Sequence, residues 1–253
     1  MGGVGVTSRD DEVLFFNPAQ LVVANGFSAS GERYSADESG SAMSAVTRFN
    51  GGGAALGMRT NNFDAHFSTV SGGPGVFTAT SLEGSVGFAQ VVKGIRVGGA
   101  VKYAEEDFGS TRVEGGLLDL GLAKQVFGSY TLGAVVQNLG RDMTDGPTTI
   151  EVPTTTTIGV SRGAPLGEFD LLGTAAVTWR RGSVFSPAGG LEVNYSWLNG
   201  YNIAIRAGGR RPLPGEKAIT AGAGFTMDRL SVDYALEAFT GNQLGHRIGL
   251  RIR

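Results

Sequence analysis

Cysteine is absent from this 253-residue chain, which excludes a disulfide framework, a thiol nucleophile and a cysteine metal site. A long apolar run is also missing: none approaches the roughly 18 residues that a membrane-spanning helix needs, so the sequence excludes a helical membrane protein. Neither acidic nor basic residues are in large excess, since the formal net charge is −2. We therefore expect no nucleic-acid partner.

A secretory signal is not recognisable at the N-terminus. The first residues lack a basic region, and the apolar patch after Asp10, Asp11 and Glu12 is interrupted by Asn17 and Pro18. If the protein is exported, we expect that its signal is not contained in this sequence.

Glycine is abundant, with 42 residues, more than twice the usual share of about 7%. These glycines follow no collagen period and lie inside segments of alternating polarity. Glycine within strands permits sharp curvature and close packing. Both properties suit a sheet that closes on itself.

Alternation of apolar and polar residues is clearest in 190-GLEVNYSWLNGYNIAIRAGG-209. Asn199-Gly200 favours a type I′ turn between two strands. Because successive side chains of a strand point to opposite faces, one face of this hairpin is apolar and the other polar. The first strand places Leu191, Val193, Tyr195 and Trp197 on the apolar face and Glu192, Asn194 and Ser196 on the polar face.

Fourteen such segments follow one another along the chain. They are 25–34, 41–50, 53–62, 82–93, 95–106, 112–126, 130–139, 154–162, 169–180, 187–198, 201–210, 217–226, 229–238 and 245–253. Tight and longer connections alternate strictly between them, as in bacterial outer-membrane barrels, whereas a β-sandwich or propeller does not require this. The pattern predicts an all-β fold, a 14-stranded antiparallel transmembrane β-barrel over residues 25–253.

Charged residues recur on the polar face of the predicted strands. Unpaired ions in a dry core cost several kcal/mol each, whereas a hydrated or ion-paired lumen accepts them. We expect these residues to pair with one another and with the N-terminal segment, in preference to forming a basic track for anionic substrates. The predicted lumen charges are Lys102, Glu106, Glu192, Arg206, Arg210, Asp233, Glu237, Arg247 and Arg251.

Both ends of the chain carry motifs that resemble a known family. The opening GGVGVTSRDDEVLFFNPAQL and the closing 233-DYALEAFTGNQLGHRIGLRIR-253 resemble the PorV/PorQ family, relatives of the FadL long-chain fatty-acid transporters. The resemblance implies a fourteen-stranded outer-membrane barrel with residues 1–24 folded into the lumen as a plug. Asn17, Pro18 and Ala19 match the plug motif. The residues themselves are compatible with a helix capped by Asn17 with Pro18 at its first position.

Catalytic and cofactor chemistry finds little support in the sequence. His66 and His246 do not stand at recognisable spacing from a serine and an acid, and a triad is defined by geometry. The glycines at 2–5 lack a preceding strand and a following Gly-Lys-Ser/Thr. We expect a protein that is not an enzyme and has no cofactor and no metal.

Two functions in the bacterial outer membrane fit these expectations. The first is an accessory subunit of a surface-protein export or envelope assembly, with outer-membrane lipid and other envelope or secretion proteins as partners. The second is a FadL-like transporter that passes hydrophobic small molecules through a lateral gap in the wall. Its candidate pocket lies in the predicted loop 63–81 and is lined by Phe63, Phe67, Val70, Val76 and Phe77. The alternative is that these residues contact lipid headgroups or a partner protein. A soluble β-rich binding protein is the third possibility, and it requires no detergent for purification.

Overall fold

Fourteen strands form a closed antiparallel barrel, as predicted. A computed structural model describes residues 4–8, 11–35, 37–68, 74–109, 111–145, 148–181, 185–198, 200–211, 216–239 and 243–253. The barrel strands are β1 Gly26–Arg33, β2 Glu38–Phe49, β3 Gly52–Ser68, β4 Pro74–Val92, β5 Ile95–Asp107, β6 Arg112–Val126, β7 Tyr130–Gly140, β10 Thr155–Leu166, β11 Phe169–Arg180, β12 Ser186–Leu198, β13 Tyr201–Arg210, β14 Glu216–Met227, β15 Leu230–Phe239 and β16 Leu244–Ile252. Two short strands, β8 Met143–Asp145 and β9 Thr148–Ile150, form a separate hairpin between β7 and β10.

Closure of the barrel comes from pairing between the first and the last strand. Phe27 of β1 lies opposite Ile252 of β16, and Arg33 lies opposite His246. Every other barrel strand pairs with its neighbours in chain order, with β7 beside β10. A closed sheet leaves no edge, so main-chain groups are satisfied inside the wall, as a membrane requires.

Tight turns gather at one end of the barrel. Lys93 and Gly94 have φ values of 49° and 77°, and Phe127 and Gly128 have 48° and 73°. Two consecutive positive φ values define the type I′ geometry, which matches the twist of antiparallel strands. The longer connections lie at the opposite end, which we call the external mouth.

The hairpin of β3 and β4 extends farther than the sequence indicates. The predicted loop 63–81 is wrong in extent, because Phe63 pairs with Ala79 and Ser68 with Pro74. Polar side chains pair across this extension, with Thr78 donating to Asp64 at 2.6 Å and Thr80 to Asn62 at 3.0 Å. The ribbon therefore continues beyond the barrel wall, with these polar pairs on one face and Phe63, Phe77 and Ala79 on the other.

Large apolar side chains cover the outside of the barrel. Leu56 is 64% exposed, Val86 67% and Val101 65%, whereas the residues that alternate with them point inward and are small or polar. Aromatic rings adjoin one another near the tight turns, as at a membrane interface: Phe169, Tyr195, Trp197, Tyr201 and Phe225. No helix in the described residues is both long and apolar enough to span a membrane.

The described residues of the N-terminal segment, 4–8 and 11–24, contact the inner face of the barrel. They form two 3-10 helices, Asp11–Phe15 and Pro18–Val22. Val6 lies against Gly159 of β10, Leu21 against Gly53 of β3, and Glu12 pairs with Arg247 of β16. A segment that reaches strands on several sides of a closed barrel must occupy its lumen.

Candidate functional site in the lumen

Glycines on the inner face of one half of the barrel receive the N-terminal segment. A Cβ atom at Gly53 would lie 2.1 Å from the carbonyl oxygen of Leu21, and one at Gly98 would lie 2.5 Å from the main-chain nitrogen of Ala19. A larger residue at either position would force the segment to move. We call this surface the glycine wall, and it comprises Gly53, Gly57, Gly87, Gly98, Gly121 and Gly133.

Asn17 holds the N-terminal segment together. Its Nδ2 donates to the carbonyl oxygens of Val6 at 2.9 Å and Leu122 at 3.2 Å. Its Oδ1 accepts a hydrogen bond from the main-chain nitrogen of Ala19 at 3.1 Å, which caps the helix whose first residue is Pro18. The side chain is fully buried, so its polar atoms depend on these partners. The predicted plug motif thus lies at the junction of the segment and the wall.

A buried ion pair lies farther toward the external mouth. Lys102 Nζ lies 2.8 Å from Asp119 Oδ2, and neither side chain is more than 1% exposed. Asp119 also accepts hydrogen bonds from the main chain of Asn138 and the side chain of Gln137, at 2.8 and 3.1 Å. Asn138 has a φ of 59° in a β-bulge, where the β6–β7 ladder shifts register between Leu118 and Leu120.

This ion pair belongs to a larger layer that touches the N-terminal segment. Glu83 lies 3.6 Å from Lys102 Nζ and 3.0 Å from Arg59 Nη2. The guanidinium of Arg59 lies over the Phe15 ring, 5.2 Å from its centroid, and Gln137 Nε2 donates to the Phe15 carbonyl at 3.0 Å. The ion layer is defined here as Arg59, Glu83, Lys102 and Asp119.

Sequence reasoning identified only Lys102 of the ion layer. A signal for Asp119 was present, since it alternates with Leu118, Leu120 and Leu122 and so stands alone as an acid on the inner face of its strand. Glu106, another predicted lumen charge, lies above the layer and accepts a hydrogen bond from Ser81 Oγ at 2.9 Å.

The remaining predicted lumen charges form a continuous charged wall on the opposite half of the barrel. Arg206 donates to both Glu192 and Asp233, and Arg251 Nη2 lies 2.7 Å from Asp233. Arg210 pairs with Glu237. Arg247 reaches across to Glu12 of the N-terminal segment. We define the charged wall as Glu192, Arg206, Arg210, Asp233, Glu237, Arg247 and Arg251.

A cavity of about 380 Å³ separates the charged wall from the N-terminal segment. Val4, Glu12 and Phe16 line it on the segment side, and Tyr34 lines it toward the external mouth. Burial raises the pKa of Tyr34, just beyond β1, well above its usual range, and the charge of Glu32 raises it further. The phenol therefore stays neutral at physiological pH.

An apolar cluster covers the inner face at the external mouth on the glycine-wall side. Met143 of the small hairpin is buried against Val113 and Leu117 of β6, with Phe108 and Ile150 packed beside them. We call this set, together with Ala104 and Val152, the mouth cluster. It places hydrophobic side chains where the lumen meets the exterior.

The predicted pocket residues do not share one surface. Phe77 stacks on Phe108 of the mouth cluster, with ring centroids 6.4 Å apart. Phe63 is 50% exposed and Val76 58% exposed, and they lie on opposite faces of the β3–β4 ribbon. The side chain of Phe67 and the whole of Val70 lie outside the described residues.

The two histidines carry no recognisable catalytic arrangement among the described residues. His246 is exposed on the outer face, where Nδ1 lies 2.7 Å from the Tyr234 hydroxyl. The side chain of His66 lies outside the described residues. No group of three or more acids and histidines in the described residues is placed to hold a metal.

Solved structures of similar fold include two proteins described as toluene transporters. The toluene transporter TodX of Pseudomonas putida matches with a TM-score of 0.70 and 13% identity, covering 100% of this chain and 95% of that chain. The toluene transporter TbuX of Ralstonia pickettii gives 0.67 and 14%, covering 100% and 96%. A Pseudomonas aeruginosa FadL homologue gives 0.63 and 9%, covering 99% and 95%. At these identities the likeness establishes the fold. No protein-family model and no curated protein matches the sequence.

The comparisons support some of the predictions made from the sequence and not others. The fold is that of the FadL-type barrels, and the predicted bacterial outer-membrane location agrees with these neighbours and with the apolar outer surface. The PorV/PorQ side of the resemblance, the role in secretion and the protein partners gain no support from these comparisons.

Proposed function

We propose that this protein transports hydrophobic small molecules across the bacterial outer membrane. The observation that carries the proposal is the mouth cluster, a set of buried apolar side chains at the external mouth of a barrel whose fold matches those of toluene transporters. A hydrophobic solute that enters between these side chains gains favourable transfer from water, at about 25 cal/mol per Å² of apolar surface buried. Monoaromatic hydrocarbons are the first compounds to test.

The N-terminal segment acts in this proposal as the plug. Its side chains Leu14 and Leu21 are fully buried against the wall, and Glu12 and Asn17 anchor it to β16 and β6. Close packing of the segment on the glycine wall blocks straight passage of a hydrophobic solute along that half of the lumen. The hydrophobic solute therefore leaves the lumen sideways, through the wall.

We place the lateral gap of this route between β6 and β7. The β6–β7 ladder is interrupted opposite Asp119, as the β12–β13 and β14–β15 ladders are interrupted elsewhere. Bulges of this kind are frequent beside functional sites. Leu117 of the mouth cluster lies two residues from Asp119, so the β6–β7 break is the one that adjoins the mouth cluster.

Uptake of radiolabelled toluene by bacterial cells that carry the barrel tests the function. We expect uptake above that of cells without it, and a fall to near that background for Met143→Asp, which puts a charge into the mouth cluster. Thr144→Asp is the matched control, because the neighbouring residue of the same short strand is exposed. Uptake that never exceeds the background, or that survives Met143→Asp in a folded barrel, contradicts the proposal.

The position of the gap is tested with paired cysteines, for which the cysteine-free chain gives a clean background. The double variant Leu120→Cys with Val136→Cys places two cysteines opposite each other across the β6–β7 ladder, next to the bulge. The double variant Leu56→Cys with Val86→Cys places two cysteines opposite each other across the continuous β3–β4 ladder. We expect a short thiol crosslinker to abolish uptake in the first variant only. Equal effects in both variants, or none in the first, place the gap elsewhere.

A further inference from the structure

The cavity beside the charged wall follows the barrel wall for a considerable length. Its lining includes Gly245, Arg247, Gly249 and Arg251, so it extends along six residue steps of β16. At about 3.4 Å per residue this is about 20 Å along the strand. With the usual strand tilt of about 40° the cavity covers about 15 Å of an apolar band about 25 Å tall.

The chemistry of the lining requires water. Four arginines line the cavity together with Glu12, Asp233 and Glu237, and dry burial of so many ions would be prohibitive. At about 30 Å³ per molecule, the volume accommodates about a dozen waters. On the other side of the N-terminal segment, by contrast, the glycine wall is in contact with main-chain atoms of the segment.

Most ion pairs of the charged wall lie along the wall and leave the cavity clear. Glu192, Arg206, Asp233 and Arg251 belong to strands β12, β13, β15 and β16, which are close neighbours in the sheet. The pair between Arg247 and Glu12 differs, since it connects the wall to the N-terminal segment. It therefore crosses the cavity and narrows it.

We propose that this cavity is a second, polar route through the lumen, along which small hydrated inorganic ions cross the barrel, and that the Arg247–Glu12 bridge is its constriction. The lining carries four arginines and four acids, so the native route discriminates little between K⁺ and Cl⁻. The route is separate from the apolar path assigned to hydrophobic molecules, because the N-terminal segment lies between the charged wall and the glycine wall.

Single-channel recording of the full chain in planar lipid bilayers with KCl tests the proposal. We expect a small native conductance, and an increase of about twofold or more when either Glu12→Gln or Arg247→Gln removes the bridge. The reversal potential in a salt gradient separates the two variants. Glu12→Gln leaves a positive excess and favours Cl⁻, whereas Arg247→Gln leaves Glu12 and Glu32 and favours K⁺.

Two further variants make the test specific. Gly249→Phe places a ring in the cavity, since the atoms nearest to a Cβ there lie 3.9 Å away, and we expect it to abolish the conductance. Glu192→Gln is the matched control, because this charge pairs along the wall and does not line the cavity. Heat-modifiable migration in gels confirms that each barrel is folded. Absence of conductance in the native protein and both bridge variants, equal shifts of reversal potential, or an unaffected Gly249→Phe overturns the proposal.

Discussion

The glycine wall and the charged wall enclose the same N-terminal segment by opposite means. At the glycine wall, side chains are missing, and main-chain atoms of the segment approach the strands directly. At the charged wall, long side chains fill the space, and a cavity of about 380 Å³ remains between them and the segment. Close packing is rigid and intolerant of added volume, whereas hydrated ion pairs adjust with little cost.

The two walls therefore have different roles in the same lumen. The glycine wall fixes the position of the segment, and the charged wall leaves room for water. Substitutions should therefore act strongly where the segment is closely packed or the ions are dry, and weakly where the ions are hydrated. Substitutions at both kinds of site test this difference.

The largest effect is expected in the ion layer. Asp119→Ala removes the nearer of two acidic partners of the buried Lys102 and the acceptor of the Asn138 main-chain N–H, while Glu83 stays 3.6 Å from Lys102 Nζ. Breaking a buried pair costs about 3–5 kcal/mol of unfolding free energy, and we expect the lower end of that range because Glu83 remains. Urea unfolding in lipid vesicles, followed by tryptophan fluorescence, measures the loss. The double variant Asp119→Leu with Lys102→Met should recover much of it, because both ions are then gone. A loss below about 1 kcal/mol for Asp119→Ala would show that Glu83 or water replaces Asp119 as the partner of Lys102.

A smaller but specific effect is expected at the glycine wall. Gly98→Ala brings a Cβ to within 2.5 Å of main-chain atoms of Pro18 and Ala19, so the segment must shift, at about 1–3 kcal/mol. A cysteine introduced at buried Ala24 reports the shift as faster maleimide labelling. Gly84→Ala is the control, since nothing lies within 4 Å of the added atom. Equal labelling rates in the two variants would mean that the segment is not held by this wall.

The next smaller loss of stability is expected when the Asn17 cap of the second 3-10 helix is removed. Asn17→Ala removes the acceptor for Ala19 and the donor to Val6 and Leu122, and we expect a loss of about 1–2 kcal/mol. Asn17→Asp keeps the capping acceptor and loses the donor, so its labelling rate at Ala24→Cys separates the two contributions. A rate for Asn17→Asp equal to that of Asn17→Ala would show that the donor to the wall, and not the cap, holds the segment.

The strand pattern could be predicted from the sequence because the alternation is strong and the turns are short. Leu191, Val193 and Tyr195 face outward and Glu192 faces inward, as their parity indicates. The β3–β4 ribbon was underestimated because the apolar residues on one face of its extension, such as Phe63 and Phe77, were assigned to a pocket in a loop. The alternation of side chains along each strand also predicts which charged residues face the lumen. It does not predict whether a charged residue lies on the side of the glycine wall or of the charged wall.

The ion layer could not be predicted, since its members come from four strands and meet through the register of adjacent hairpins, as Arg59 opposite Glu83 shows. Arg59, Glu83, Lys102 and Asp119 are separated by up to 60 residues in the chain and lie on adjacent strands of one wall. Likewise, the partner of Arg247 is 235 residues away, in a segment without a clear period. Contacts that depend on barrel closure leave no local signal in the sequence.

The smallest effect is expected at the charged wall. Glu192→Gln removes one of two acceptors of Arg206, but both side chains are partly exposed, and Asp233 retains the guanidinium. Pairs in contact with water contribute about 0–1 kcal/mol, so the unfolding free energy should change by less than about 1 kcal/mol. The same urea titration measures this change, and raising the salt concentration should reduce it further. A loss as large as that of Asp119→Ala would mean that the charged wall is dry, and the contrast between the two halves of the lumen would disappear.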